Sequence, residues 1–267
     1  MIEDIPRRLP SSALSAQIRV IGALFTREML TRFGSGRAGY IWLFGEPMLL
    51  ALMISSIHWA RRESLPNGLP TFLFYALSYL PFMMFRTIVN RSANGIQANI
   101  SLLFHRSISL TDVMVARSVL EMMICAAVIT IFITVAMVFF GEYPHQPAVF
   151  IAGLLMSALL GHGFGMLLAA LQVFYEPVER IVHPFTYILM PISATFYMVD
   201  MMPSETREFL LWNPLVHVHE LNRWAQFGDR TVPHYDIPYV LTWILALNIL
   251  GLAGLRAARS RLSIMGE

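Results

Sequence analysis

Long apolar runs separated by short polar connections dominate the chain. Residues 39–60, 69–89, 113–140, 148–174, 181–199 and 237–255 are each predominantly apolar. At a rise of about 1.5 Å per residue, roughly 20 residues cross a hydrocarbon core of about 30 Å, so the pattern predicts six transmembrane helices. Ahead of the first, residues 14–33 place Ile18, Ile21, Phe25 and Met29 three and four apart, with Arg19, Arg27 and Arg32 breaking the run. That spacing predicts an amphipathic interface helix lying on the membrane surface, the alternative being a helix packed on a partner. Pro184 and Pro191 interrupt the fifth run, and residues 201–228 beyond it are too polar to span and too apolar for a plain loop. Irregular backbone at membrane depth must line a cavity or be buried in protein, so this stretch is read as re-entrant or interfacial helices between the fifth and sixth spans. The predicted fold class is an all-α membrane protein in which residues 1–267 form a single transmembrane domain without internal repeats.

Composition agrees with the pattern. With 56% hydrophobic and 13% charged residues, the chain lies outside the range of soluble domains. A net charge of +2 is too small to argue for nucleic acid, so the basic residues are read loop by loop. Six arginines precede the first span, Arg91 and Arg106 lie in the second connection, Arg180 in the fourth, and Arg256, Arg259 and Arg261 follow the last. The opposite side carries Arg61, Arg62, Arg207, Arg223 and Arg230 among more numerous acids. Both termini are therefore expected in the cytoplasm, and the 201–228 helices on the periplasmic side. No signal peptide is expected, the first span itself directing insertion. All nineteen basic residues are arginine. A P-loop needs a lysine to reach the β- and γ-phosphates, so this chain does not bind ATP in that way. The single cysteine, Cys125, lies in an apolar run and supports neither a disulfide nor a cysteine-based metal site.

The polar segment Asn90 to Asp112, between two apolar runs, reads as a watery docking surface. Glu46, next to Pro47 inside the first span, costs several kcal/mol unless paired or hydrated, which makes it either a pathway residue or a helix–helix contact. Arg86 is expected to snorkel, with pairing to Glu46 as the alternative. Gly161 and Gly165 stand at the small-xxx-small spacing that lets helices approach closely. His217 and His219 do not share a helical face, and no third ligand is nearby, so no metal is expected. Asn213 and Pro214 read instead as N-cap and first residue of a short helix, with Glu220 and Arg223 at pairing distance. Of the many aromatics in the spans, most are expected at lipid or interface and a subset along a conduit.

Several stretches together resemble one family. They are Ala23 to Gly34, Gly39 to Pro47, Ala98 to Asp112 followed by Val115 to Glu121, and Leu211 to Arg223. In this order they are similar to the ABC-2 type permeases of group 2 capsular polysaccharide exporters, over nearly the whole chain. The resemblance implies a homodimer in the bacterial inner membrane, docked on two copies of a P-loop ATPase that binds ATP and magnesium. It also implies a lipid-linked acidic polysaccharide as cargo, and a periplasmic co-polymerase-like protein and an outer-membrane export protein as further partners. On the same basis Asn99, Leu102, Leu103, Phe104, His105 and Arg106 correspond to the ATPase-coupling segment. The prolines common in the turn after it are replaced here by Ser107 and Leu110. Trp42, Phe44, Glu46, Tyr187, Phe196 and Tyr197 are the expected path or gate. Arg19, Arg27 and Arg32 are expected to guide an anionic lipid-linked end. Trp212, Asn213, Pro214, His217, Glu220 and Arg223 form the re-entrant motif. An O-antigen or teichoic-acid-like polymer is the alternative cargo. A self-contained channel or ion-coupled carrier is the alternative class, and an enzyme lacks a nucleophile–base pair or metal set.

Overall fold

A computed structural model describes residues 13–33, 37–102 and 108–265, and among them all regular structure is helical. The α-helices are α1 (Ala13–Phe33), α2 (Arg37–Ala60), α3 (Thr71–Ala93), α4 (Leu110–Phe140), α5 (Pro147–Phe174), α6 (Pro177–Ile192), α7 (Ser204–Leu210), α8 (Pro214–Phe227) and α9 (Ile237–Met265). Four of them, α3, α4, α5 and α9, are long and apolar enough to cross a membrane. α2 has 24 residues but carries Arg37 and Glu46, and α6, with 16 residues, is about 24 Å long. The fifth apolar run was expected to continue to Val199, but α6 stops at Ile192. There Ser193 Oγ donates to the Leu189 carbonyl and Thr195 Oγ1 to that of Met190, while Ala194 turns to a φ of 53°. Hydroxyls that satisfy terminal carbonyls close a helix.

α5 is the axis of the bundle, and its glycines divide its circumference. Gly161 and Gly165 face α3: a Cβ at Gly161 would sit 3.0 Å from the Phe85 carbonyl oxygen, and one at Gly165 2.6 Å from Ser92 Cβ. Gly163 is two residues on, about 200° round the helix, and faces α9 at Asn248. Gly251 and Gly254 return the contact from α9 against Met166 and Ala170. Close backbone approach on both sides places the largest buried side chains, Phe74, Phe82, Leu73 and Met84 of α3 among them, in the middle of the bundle.

Local signals fix the remaining ends. Ser109 and Asp112 form a capping box that starts α4, the Asp112 N–H donating to Ser109 Oγ and the Ser109 N–H to Asp112 Oδ2. Where rigid turn residues are usual, this reciprocal pair defines the turn, and Leu110 is buried behind it. At the other end Gly141 takes the left-handed conformation with φ 68°, which glycine adopts without steric cost. Asn213 caps α8 by accepting from the Leu215 N–H at 3.0 Å, with Pro214 as first helical residue. α1 turns Ile21, Phe25 and Met29 toward α4, where they pack beside Leu24, Val113, Ala116 and Leu120, while Ile18 stays 61% exposed. The first third of α4 carries Asp112, Arg117 and Glu121; it offers α1 a protein surface in place of lipid.

The loop after α2 is held by side chains. Glu63 accepts hydrogen bonds from His58 Nδ1 and Tyr75 Oη, each at 2.8 Å, and Thr71 Oγ1 donates to the Glu63 carbonyl. The His58 and Tyr75 bonds hold the Glu63 carboxyl below the usual carboxylate range, against a smaller opposing effect of burial. Its folded pKa thus lies below the unfolded value of about 4.3. The stabilisation is present above that value and disappears as pH falls through the lowered folded pKa. Amide exchange across residues 61–70 is expected to accelerate on acidification, and Glu63→Gln to flatten the dependence. A pH-independent exchange rate in the unsubstituted chain would remove this assignment.

Candidate functional site

A polar stripe runs along α3 inside the apolar bundle. Arg86, Asn90 and Asn94 recur every four residues and therefore share a face, which forms one wall of a cavity of about 420 Å³. Glu46 of α2, Arg117 and Glu121 of α4 and His183 of α6 add further polar groups, while Pro47, Met83, Ile124 and Cys125 give the lining apolar surface as well. The cavity lies at the end of α3 that leads into Asn99.

Arg86 does not snorkel to an interface. It is 8% exposed, and its guanidinium lies 3.7 Å over the ring of Tyr187 on α6. A cation–π contact between a buried guanidinium and a half-exposed ring contributes about 1 kcal/mol. Its Nε has no protein partner. Tyr187 in turn meets the His183 ring edge-on at 5.3 Å, and Thr186 and Asn90 bond across the α3–α6 seam at 3.4 Å. α6 is thus amphipathic, with His183 in the cavity lining, Tyr187 beneath Arg86 and half exposed, and Ile181, Ile188 and Ile192 exposed on the opposite side.

Of the expected path residues, Glu46 lines this cavity and Tyr187 supports Arg86. Phe44 packs between Leu120 and Ile124 on one side and the α3 core on the other. Phe196 stacks between His58 and Tyr79, at 6.3 and 6.4 Å. Trp42 is 63% exposed on the outside of α2. The Tyr197 hydroxyl donates to the Pro191 carbonyl, and its ring joins the small core of Val199, Leu210 and Val216. These aromatics therefore do not form one continuous wall. Arg86, Asn90, Asn94, Glu121 and His183 complete the cavity, and the signal for the first three was present in their period of four.

In the coupling segment, Asn99 is buried and the backbone of Leu102 closes the 3₁₀ turn Gln97–Leu102. Leu103, Phe104, His105 and Arg106 lie outside the described residues. Arg19 is exposed, Arg27 donates to Asn99 Oδ1 at 2.6 Å, and the side chain of Arg32 is outside the described residues. In the 201–228 stretch, Glu220 and Arg223 form an ion pair at 2.6 Å with both side chains almost fully buried. The Arg223 guanidinium also donates to the Ala194 carbonyl, and Glu220 accepts from the Val199 N–H. His217 accepts from the Asp236 N–H at Nδ1, which leaves Nε2 as donor to the Leu211 carbonyl. Both ring nitrogens are thereby engaged. Trp212 is 79% exposed, and its carbonyl accepts from the Tyr239 hydroxyl.

Comparison with known proteins bears on the whole chain. The model of the family described as ABC-2 type transporter matches residues 19–227. The capsule polysaccharide export inner-membrane protein CtrC of Neisseria meningitidis serogroup A is 32% identical over 243 residues, which cover 90% of this chain and 91% of that protein. The inner-membrane protein BexB of Haemophilus influenzae, also named for capsule polysaccharide export, is 31% identical over 90% of this chain and 91% of its own length. The polysialic acid transport protein KpsM of Escherichia coli is 30% identical over 91% of this chain and 94% of its own length.

Proposed function

The chain belongs to the ABC-2 type transporter family, and from that membership we propose that it is the membrane subunit of an ATP-driven exporter of a lipid-linked capsular polysaccharide. The observation that carries this reading beyond kinship is the cavity walled by α2, α3, α4 and α6, with Glu46, Arg86, Asn90, Arg117 and Glu121 in its lining. It is an aqueous way into the membrane, lined by hydrogen-bonding groups suited to a hydroxyl-rich polymer.

In the fuller reading the chain is a multi-pass inner-membrane protein with six crossings, α2 and α6 joining the four apolar helices. The arginine distribution puts both termini in the cytoplasm, α1 at the inner interface, and α7 and α8 on the periplasmic side. Two copies assemble with two P-loop ATPase subunits, which supply the ATP and magnesium chemistry; without a lysine the permease has no P-loop of its own. A periplasmic co-polymerase-like protein and an outer-membrane export protein continue the route. Of the segment Asn99 to Arg106, the residues after Asn99 receive the ATPase, Asn99 itself being buried against α1. Glu46, with Arg86 and Tyr187, forms the gate of the path, and Arg19 and Arg32 guide the anionic lipid-linked end while Arg27 is occupied by Asn99.

Co-purification tests the assembly. The chain is expected to bring down a P-loop protein in equal number, two of each, and Phe104→Glu to abolish the association by placing a charge where an apolar side chain docks. Retained association and export in that variant would remove the coupling assignment. Transport by the purified chain alone in liposomes would favour a carrier. Glycan accumulated inside a deletion strain separates capsule from O-antigen or teichoic-acid-like cargo by its composition.

A further inference from the structure

Asn99 lies in a polar stretch of sequence yet is 1% exposed, and its backbone, at φ −124° and ψ 15°, departs from the helical turns around it. Its side chain is fully engaged. Oδ1 accepts from Arg27 at 2.6 Å, and Nδ2 donates to Glu28 Oε1 at 3.2 Å and to the Gly95 carbonyl at 3.0 Å. Glu28 Oε1 also accepts from Arg117 Nε of α4 at 3.0 Å, and Arg117 reaches the Arg91 carbonyl at the end of α3 at 2.7 Å. About ten residues back along α1, Gln17 donates to Asp112, the same carboxylate that caps α4. α1 is therefore tied to α4 at two separated points, with the apolar contacts of Leu24 and Phe25 between them.

We propose that Asn99 is the joint through which displacement of the coupling segment reaches α1 and α4 together, with Arg27, Glu28 and Arg117 as positioning residues. The inference rests on the exporter reading and specifies the route of force within it. A primary amide offers an acceptor to Arg27 and two donors, one to Glu28 and one to the Gly95 carbonyl, where a hydroxyl has a single donor, and the bonds to Arg27 and Glu28 are charge-assisted. Slip at Asn99 strips the Arg27 guanidinium of a charge-assisted acceptor and leaves a buried amide unsatisfied, while Glu28 stays paired with Arg117. The joint therefore moves as a unit. Arg117 also lines the polar cavity, beside Glu121 one helical turn further along α4, so motion of the α1–α4 pair shifts a cavity wall. On this account Arg27 transmits force in place of guiding an anion.

The test uses the full chain co-produced with its ATPase partner in cells that make the polymer, following protein level, ATPase co-purification, ATP hydrolysis and export. Asn99→Ala is expected to keep the protein level and the associated ATPase, with hydrolysis within about twofold of the unsubstituted complex, while export falls at least about tenfold. Glu28→Arg and Arg117→Glu are each expected to lose export, and their combination to recover it to about a third or more. A merely structural role would lower hydrolysis and export together. Loss of export in proportion to protein level or hydrolysis in Asn99→Ala would overturn the joint, as would a double exchange no better than the worse single. Absence of a co-purifying ATPase from the unsubstituted chain would overturn the exporter reading itself, and it would appear before any substitution is made.

Discussion

Arg223→Met is expected to destabilise the chain by about 3–5 kcal/mol, the range for removing one partner of a buried ion pair. Arg223 and Glu220 are 3% and 2% exposed at the side chain and lie 2.6 Å apart. Methionine would leave Glu220 charged in a dry site and the Ala194 carbonyl without its guanidinium donor. That carbonyl belongs to a residue held at φ 53°, a conformation in which a non-glycine residue needs support from its surroundings. The turn that ends α6 would loosen from the second half of α8. Arg223→Lys is expected to recover only part of the loss, because an ammonium has no planar fork to serve a carboxylate and a carbonyl at once. Replacing both partners with apolar residues of similar volume should come back close to the parent in stability, since neither charge is then stranded. Reversible unfolding in mixed detergent reads these differences. A change below about 0.5 kcal/mol in Arg223→Met would show that the pair does not hold this region.

Gly163→Leu should prevent stable assembly of the bundle, and Gly163→Ala should cost about 1–3 kcal/mol, the usual range for overpacking. The methyl group would sit 2.7 Å from Asn248 Nδ2, 2.8 Å from the Asn248 backbone nitrogen and 2.9 Å from the Leu247 carbonyl carbon. Backbone atoms cannot rotate away, so α9 must separate from α5. Separation also stretches the bond from Asn248 Nδ2 to the Leu159 carbonyl. Gly22→Ala is the internal comparison, for nothing lies within 4 Å of its Cβ position. There the substitution should be neutral or stabilise by up to about 1 kcal/mol through helix propensity. Equal melting of the two alanine variants would contradict the close α5–α9 approach.

These two sites differ in how far they could be read from the residues alone. The spacing of Gly161 and Gly165 announced a close helix contact, and the structure supplies α3 as its partner. Asn213-Pro214 announced a helix start, and Glu220 with Arg223 a pair one turn apart, because these are local relations set by 3.6 residues per turn. Arg86 defeated the same reasoning. Snorkelling is a default based on distance from a helix end, whereas its Tyr187 partner is brought alongside only by the packing of α3 against α6. α6 ended early for a related reason: hydroxyls at 193 and 195 compete for carbonyls, which hydropathy does not register. Asn99 looked solvated because its neighbours in sequence are polar. Its neighbours in space are two residues of α1 some seventy positions earlier.

If α6 crosses the membrane as proposed, its shortness has a consequence for the surrounding lipid. Its 16 residues give about 24 Å against a hydrocarbon thickness of about 30 Å, and a span too short for its bilayer draws the leaflets together at a cost of fractions of a kcal/mol per Å. With His183 and Tyr187 on one face and Ile181, Ile188 and Ile192 on the other, the pinched annulus borders the polar cavity. In the proposed six-crossing arrangement, headgroups there are expected several ångströms closer to the midplane than elsewhere. On the proposed function such thinning would lower, through bilayer elasticity and apart from any side-chain contact, the work of bringing a lipid-borne polar end to the cavity mouth, and export is then expected to depend on acyl-chain length.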